Sequence, residues 1–178
     1  MKRSELGRSL NLKIDTIPEG KPNRPGSPLH AKKITVHNTD NANAGADAEA
    51  HARFVSNVGY YVLDGKRHYI SWHYTVDDDS CVRHLPLNEV GYHAGSRTGN
   101  ANSIGVEICM NKDVDQAMAF TRAQKLLACL CYDMGLDPLE DVVTHHHWSG
   151  KMCPRLLLEM NGKPGAKWNS FLEGIATI

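Results

Sequence analysis

Long apolar segments and an excess of charge of either sign are both missing from this sequence of 178 residues. No stretch approaches the roughly 20 consecutive apolar residues of a membrane-spanning helix. The 20 Lys and Arg residues balance 20 Asp and Glu residues, so the net charge is zero when histidine is neutral. Such a chain has no overall field that would attract it to nucleic acid or to an anionic membrane. We therefore expect neither among its partners.

A disulfide framework is also missing. The sequence contains five cysteines, an odd number, and their positions do not follow the spacing of a small disulfide-rich domain. We interpret them as reduced thiols of a protein made in a reducing compartment. The first eight residues lead into no apolar run, so we expect no signal peptide and synthesis in the cytoplasm.

Histidine, in contrast, is abundant, with ten residues in this length. Residues 144–154, Thr-His-His-His-Trp-Ser-Gly-Lys-Met-Cys-Pro, combine three histidines with a lysine and a cysteine. Neutral imidazole and thiolate are preferred zinc ligands. Ser149 and Gly150 predict a turn that folds the two ends of the segment together. The segment alone offers two well-placed ligands, and a surface histidine run beside an ordinary buried cysteine is the alternative interpretation.

The remaining patterns predict one α/β domain with a central mixed β-sheet flanked by helices on both faces. Residues 1–33 are rich in proline and glycine and predict an extended lead-in, so the core is expected within 34–175. Asp64-Gly65 and residues 77–79 predict tight turns. Strands are expected at 33–39, 69–76, 81–86, 103–110 and 141–145, and helices at 47–57, 113–134, 154–160 and 164–175.

Two residues outside the histidine run complete a possible zinc site. His37 lies at the end of a predicted core strand, and with one of the three histidines and Cys153 it makes a set of three ligands, which is typical of catalytic zinc because a fourth position is left for water. Strand alternation places His145 and His147 on one side and excludes only His146. Glu107 is a lone carboxylate in an apolar strand, where it is either structurally paired or a proton carrier.

Lys151 lies two residues before Cys153 and is the expected cation beside a developing oxyanion. Such a charge would lower the activation free energy by about 3 kcal/mol. A solvated surface lysine is the alternative. Taken together, the candidates predict zinc-dependent hydrolysis of an amide by one zinc ion per chain.

In five separated segments the sequence resembles the type-2 N-acetylmuramoyl-L-alanine amidases, a family of phage endolysin and bacterial autolysin catalytic domains related to the peptidoglycan recognition proteins. The similar segments are 34–39, 71–74, 92–95, 103–108 and 144–154, in order, and the resemblance spans roughly residues 33–175. It implies the fold of that family and cleavage of the bond between N-acetylmuramic acid and the L-alanine of the stem peptide.

The resemblance also implies site residues. It assigns zinc ligation to His37, His145 and Cys153, because the family keeps a histidine eight residues before the cysteine, and catalysis to Glu107 and Lys151. Three further residues are candidates for substrate binding, each with packing or support of the metal site as its alternative: His73, His93 and Trp148.

A non-catalytic peptidoglycan-binding module of the same fold is the competing hypothesis, and the intact ligand set favours the enzyme. A zinc peptidase of another lineage is disfavoured because no H-E-x-x-H motif is present. We further expect a monomeric, single catalytic domain over residues 1–178 without an evident wall-binding domain. Bacterial peptidoglycan is the expected partner, and a holin is expected to release the protein to the cell wall.

Overall fold

The computed structural model describes residues 3–178. Met1 and Lys2, on which part of the signal-peptide expectation rests, lie outside the described residues. Residues 3–178 form six α-helices, eight strands and one 3-10 turn. In chain order these are α1 (Arg3–Arg8), β1 (Leu12–Ile14), β2 (Lys33–Asn38), α2 (Ala48–Asn57), β3 (Tyr60–Leu63), β4 (Lys66–Tyr69), β5 (Tyr74–Val76), β6 (Cys81–Arg83), α3 (Arg97–Asn102), β7 (Ser103–Ile108), α4 (Gln116–Met134), β8 (Val142–Thr144), α5 (His145–Ser149), the 3-10 turn (Arg155–Leu157) and α6 (Ala166–Ala176).

Six of the strands form one mixed sheet in the order β1-β6-β5-β7-β2-β8. The central strands β5, β7, β2 and β8 run parallel, whereas β5 and β6 are antiparallel. Helices α1, α4 and α6 cover one face of the sheet, and α2 packs on the other against Val82 and Cys109. The predicted mixed α/β domain with helices on both faces is therefore confirmed.

Alternation along the two central strands separates the core from the site. Ile34 and Val36 of β2 point into the main core beneath α4. Thr35 and His37 face the opposite side because successive side chains of a strand alternate. In the parallel register, His37 lies beside Glu107 of β7. The carboxyl ends of these strands therefore bring an imidazole and a carboxylate to the same edge of the sheet.

Helix α4 is the longest element, and its amphipathic pattern was sufficient to predict it. The side chain of Asp115 accepts hydrogen bonds from the backbone N–H groups of Ala117 and Met118, and Gly135 ends the helix with φ of 66°. A left-handed residue at this position is usually glycine, which has no Cβ to clash. Leu127 is fully buried beneath the helix, where such a side chain contributes about 1.5–3 kcal/mol.

The amino-terminal segment differs from the extended lead-in that proline content predicted. Helix α1 packs on α4, burying Leu6 and Leu10, and β1 pairs with β6 at the edge of the sheet. Leu6 belongs to α1, and Leu10 lies in the turn that follows the helix; both are buried in the main core. The first proline of the chain is Pro18, which follows both α1 and β1, so the proline-rich stretch does not interrupt either element.

The predicted strand at 69–76 is wrong, because it is two strands separated by residues 70–73. The tight turn at Asp64-Gly65 is confirmed, and it closes β3 and β4 into a separate two-stranded sheet. The second hairpin turn, at 77–79, joins β5 and β6 as predicted.

The carboxy-terminal predictions are confirmed in outline and corrected in detail. The expected strand at 141–145 ends at Thr144, and the expected helix at 154–160 is a 3-10 turn. The closing helix forms as α6, with Trp168, Phe171 and Leu172 buried. None of the helices described in residues 3–178 combines the length and the apolar character needed to cross a membrane.

Candidate metal centre

Three side chains from different elements converge at the carboxyl end of β2. The Nδ1 atoms of His37 and His145 are 3.0 Å apart, and Sγ of Cys153 lies 3.7 Å from Nδ1 of His37. All three ligand atoms lie within 4.8 Å of one another, and all three residues are buried. Across the described part of the chain, no second group of three His, Cys, Asp or Glu residues has this arrangement. The predicted ligand set is thus brought together in space.

His145 turns inward because the histidine run is helical and not extended. The hydroxyl of Thr144 accepts a hydrogen bond from the backbone N–H of His147 at 3.2 Å, and Gly150 ends the single turn with φ of 72°. His145, the first residue of α5, is 6% exposed, whereas His147 faces solvent. Strand alternation was therefore the wrong geometry for this run, although it correctly left His145 among the candidates.

Hydrogen bonds to the end of β2 and to α5 hold the Cys153 segment. The side-chain oxygen of Asn38 accepts from the backbone N–H of Leu156 at 2.9 Å. The carbonyl of Cys153 accepts from the backbone N–H of His146 at 3.0 Å. The segment that carries Cys153 is therefore hydrogen-bonded on one side to the strand of His37 and on the other to the helix of His145.

Burial favours the metal-binding protonation state of the two imidazoles but disfavours that of the thiol. It lowers the pKa of His37 well below its ordinary value and that of His145 to about 4, so both rings are neutral at pH 7. Neutral imidazole is the form that binds metal. Burial raises the pKa of the Cys153 thiol to about 12, so a metal must displace its proton. Two nitrogens and one sulfur at these separations suit bonds of about 2.0–2.3 Å to a single zinc ion.

Glu107 lies beside these three residues. Its Oε1 is 3.9 Å from Nδ1 of His37, and its Oε2 is buried without a hydrogen-bond partner. Burial raises the pKa of this carboxyl to about 8, an effect that the positive charge of Lys151 partly offsets. A buried carboxyl oxygen without a partner lowers stability, which makes Glu107 a candidate for a catalytic role.

The site opens into a cavity of about 990 Å³. His37, Glu107, His145 and Lys151 line it together, and the exposed Lys151 side chain brings a positive charge to this wall. Helix α2 and the β3–β4 hairpin form the farther walls. Their lining residues, which sequence reasoning missed, are Ala50, His51, Phe54, Tyr61, Arg67, His68 and Tyr69.

The hairpin carried a signal that could have been recognised. Tyr61, Val62 and Leu63 form an apolar run beside a predicted tight turn, yet all three are exposed. An isolated two-stranded hairpin with exposed apolar side chains commonly belongs to a binding surface.

Of the three residues considered for substrate binding, only His93 lines the cavity. His73 is fully buried; its Nδ1 accepts from the backbone N–H of Gly105 at 3.0 Å and its Nε2 donates to the carbonyl of Glu89 at 2.9 Å. The indole N–H of Trp148 donates to the hydroxyl of Thr35 at 2.8 Å. These contacts make His73 and Trp148 supports of the strands behind the cavity.

Comparison with known proteins adds independent information. A family model described as N-acetylmuramoyl-L-alanine amidase matches residues 26–156. The N-acetylmuramoyl-L-alanine amidase CwlH of Bacillus subtilis (strain 168) is 45% identical over 171 residues, 94% of this chain and 62% of CwlH. The N-acetylmuramoyl-L-alanine amidase XlyA of the same strain is 46% identical over 168 residues, 93% of this chain and 51% of XlyA.

Solved structures agree with these relationships. The structure of the catalytic domain of XlyA has a TM-score of 0.81 and 46% sequence identity, and the match covers 93% of this chain and 99% of that domain. The chain spans between about half and two thirds of the length of the two curated relatives.

Proposed function

Because the chain belongs to the N-acetylmuramoyl-L-alanine amidase family, we propose that it hydrolyses the amide bond between N-acetylmuramic acid and L-alanine in bacterial peptidoglycan, with one zinc ion. The observation that carries the proposal is the convergence of His37, His145 and Cys153 beside Glu107 in one open cavity. Zinc in such a set supplies a Lewis acid that lowers the pKa of water toward neutrality.

We assign the proton transfers to Glu107. Its carboxylate lies beside the ligand atom of His37 and has an oxygen with no partner in the protein, so it is free to accept a proton from an attacking water. The same oxygen can then deliver that proton to the departing nitrogen of L-alanine. A dication held nearby would lower the carboxyl pKa and favour the ionised form that a base requires.

Lys151 is assigned to charge stabilisation. Its ammonium lies close enough to lower the pKa values of Glu107, His37 and His145, which supports a position beside the reacting centre. As the amide carbon becomes tetrahedral, negative charge develops on its oxygen, and a cation already in place stabilises that charge without reorganisation.

The shape of the cavity supports a polymeric substrate. Besides the candidate ligand residues, side chains of α2 and of the β3–β4 hairpin line this cavity of about 990 Å³. An amide at the junction of a glycan and a peptide needs room on both sides of the scissile bond. We propose that the chain forms a single catalytic domain with its amidase core within residues 34–175, and that α1 and β1, which pack onto this core, belong to the same domain. Holin-dependent release and a monomeric state stay predictions.

The test is digestion of purified sacculi by the zinc-loaded protein. We expect new amino-terminal alanine to appear without new reducing sugar, because the cleaved bond is an amide and not a glycosidic linkage. Glu107→Ala is the matched control, since it is expected to keep the metal and lose hydrolysis. Binding of the wild-type protein to sacculi without release of alanine would favour the non-catalytic module and overturn the proposal.

A further inference from the structure

We propose that His93 is a positioning residue that sets the tautomer of His37, so that Nδ1 of His37 presents its lone pair to the metal. This assignment replaces the substrate contact expected from sequence. It rests on the metal site of the proposed function, and it concerns protons that the chain's own hydrogen bonds determine.

The chain of hydrogen bonds begins at a backbone carbonyl. Nε2 of His93 lies 3.2 Å from the carbonyl oxygen of Ser103, which can only accept, so this nitrogen carries the hydrogen. His93 is 8% exposed, and burial disfavours the charged imidazolium; with its hydrogen on Nε2, the neutral ring has its lone pair on Nδ1, which is therefore an acceptor. Nδ1 of His93 lies 3.1 Å from Nε2 of His37, so His37 must donate from Nε2. The lone pair of neutral His37 is therefore on Nδ1.

The second imidazole is oriented by the next residue of the same segment. The His145 ring hydrogen-bonds to the backbone of Ala94, and its Nε2 side lies against Gly95, where an added Cβ would come within 3.1 Å. Its Nδ1 points to Nδ1 of His37 at 3.0 Å. Two lone pairs directed at each other over that distance repel unless a cation lies between them. The two contacts thus prepare both rings for one metal ion.

The supporting segment is itself held rigidly. The side-chain oxygen of Asn100 accepts from the backbone N–H of His93 at 3.0 Å and from that of Ala94 at 2.7 Å. Gly105 of β7 leaves the space that the His93 ring fills, because a Cβ there would lie 2.7 Å from the ring. Since both ring nitrogens of His93 are engaged within the protein, neither is available to hold substrate, even though the residue lines the cavity.

Three variants of the full chain test this assignment. His93→Phe fills the space but removes the acceptor, and we expect zinc affinity to fall by about 10–100-fold, the usual loss when an outer partner of a metal ligand is removed. His93→Asn keeps an acceptor near the position of Nδ1 and is expected to restore most of that affinity. His84→Phe is the control, because His84 is also buried but hydrogen-bonds to Thr75 and not to a candidate metal-binding residue.

Affinity is measured by competition with a chelator, and the visible spectrum of the cobalt-substituted protein reports the ligand geometry independently of activity. Equal affinity loss in His93→Phe and His84→Phe, or wild-type affinity and spectrum in His93→Phe, would overturn the assignment. Absence of zinc binding by the wild-type protein would instead count against the proposed function.

Should His93→Phe fail to fold, nitrogen-15 spectroscopy of the zinc-loaded wild-type protein answers the same question. We expect both His93 and His37 to carry hydrogen on Nε2, with Nδ1 of His93 unprotonated. Hydrogen on Nδ1 of His93 would refute the proposal, because that nitrogen could then not accept from His37.

Discussion

Replacing Glu107 by Gln is expected to make the metal-free protein more stable while it removes most of the activity. The carboxyl is almost enclosed, with 14% of its side chain exposed, and Oε2 has no partner. Burial raises its pKa from 4.5 to about 8. The native metal-free protein therefore holds a proton that the unfolded chain has already released at neutral pH.

The size of the effect follows from that difference. Each pKa unit corresponds to about 1.4 kcal/mol, so at pH 7 the carboxyl lowers the free energy of unfolding by about 3 kcal/mol. The sign is set by proton binding: between the unfolded and folded pKa values the native state binds more protons, so stability falls as pH rises through this window. Below the unfolded pKa the penalty vanishes. The neutral amide of Gln has no such dependence.

The assay is urea unfolding of chelator-treated protein at several pH values from 4.5 to 8, a window that both pKa values define. We expect the free energy of unfolding of Glu107→Gln, minus that of the wild type, to increase with pH. Taking this difference cancels the titration of the nearby histidines, because both proteins contain them. Glu173→Gln, the same substitution at an exposed position on α6, is the matched control for the change from carboxyl to amide. Parallel pH profiles for the wild type and Glu107→Gln would refute the reasoning.

Activity of the zinc-loaded variant completes this prediction. Loss of a positioned general base typically reduces the rate by about 10²–10⁴-fold. We expect that reduction in alanine release from sacculi, with zinc content unchanged. Full activity in Glu107→Gln would remove this residue from the mechanism.

Three further predictions address the ligands and the fold. Cys153→Ser should lose zinc during dialysis, since a hydroxyl is a far poorer ligand than a thiolate; undiminished zinc by metal analysis would exclude Cys153. His145→Ala should lose zinc whereas His147→Ala keeps it, because only His145 faces His37, and the reverse result would transfer the assignment to His147. Arg24 lowers the pKa of Glu89 through two hydrogen bonds of 2.7 Å, so Glu89→Gln should lose about 1–3 kcal/mol at pH 7. That stability is present above the unfolded pKa of Glu89 and is lost as pH falls through the lower folded value. The urea midpoints of the variant and the wild type should therefore converge in acid, and a constant difference between them would contradict the prediction.

Local patterns predicted the elements that build the site. The strands expected at 33–39 and 103–110 form as β2 and β7, and alternation along them places His37 and Glu107 opposite the core side of the sheet. The periodicity of α4 was visible for the same reason, although the helix begins at Gln116 and not at residue 113. These features depend on neighbours a few residues apart, which a sequence displays directly.

Residues at element boundaries were harder to predict. The interruption at 70–73 follows from packing, since Trp72 is buried and hydrogen-bonds to Thr75 while His73 bonds to Glu89 and Gly105. An apolar and β-branched run has strand character in isolation, and only these contacts interrupt it.

The sequence by itself determined which residue types are available and which face of each strand carries them: His37 and Glu107 on one side, Ile34 and Val36 on the other. The tertiary structure decided which histidine joins His37, because that contact spans 108 positions along the chain and depends on the turn of α5 that Thr144 begins. It also decided that His93 contacts His37 and that His73 does not line the cavity. Such pairings arise from the register of strands and loops distant in the chain, and periodicity within one segment does not encode them.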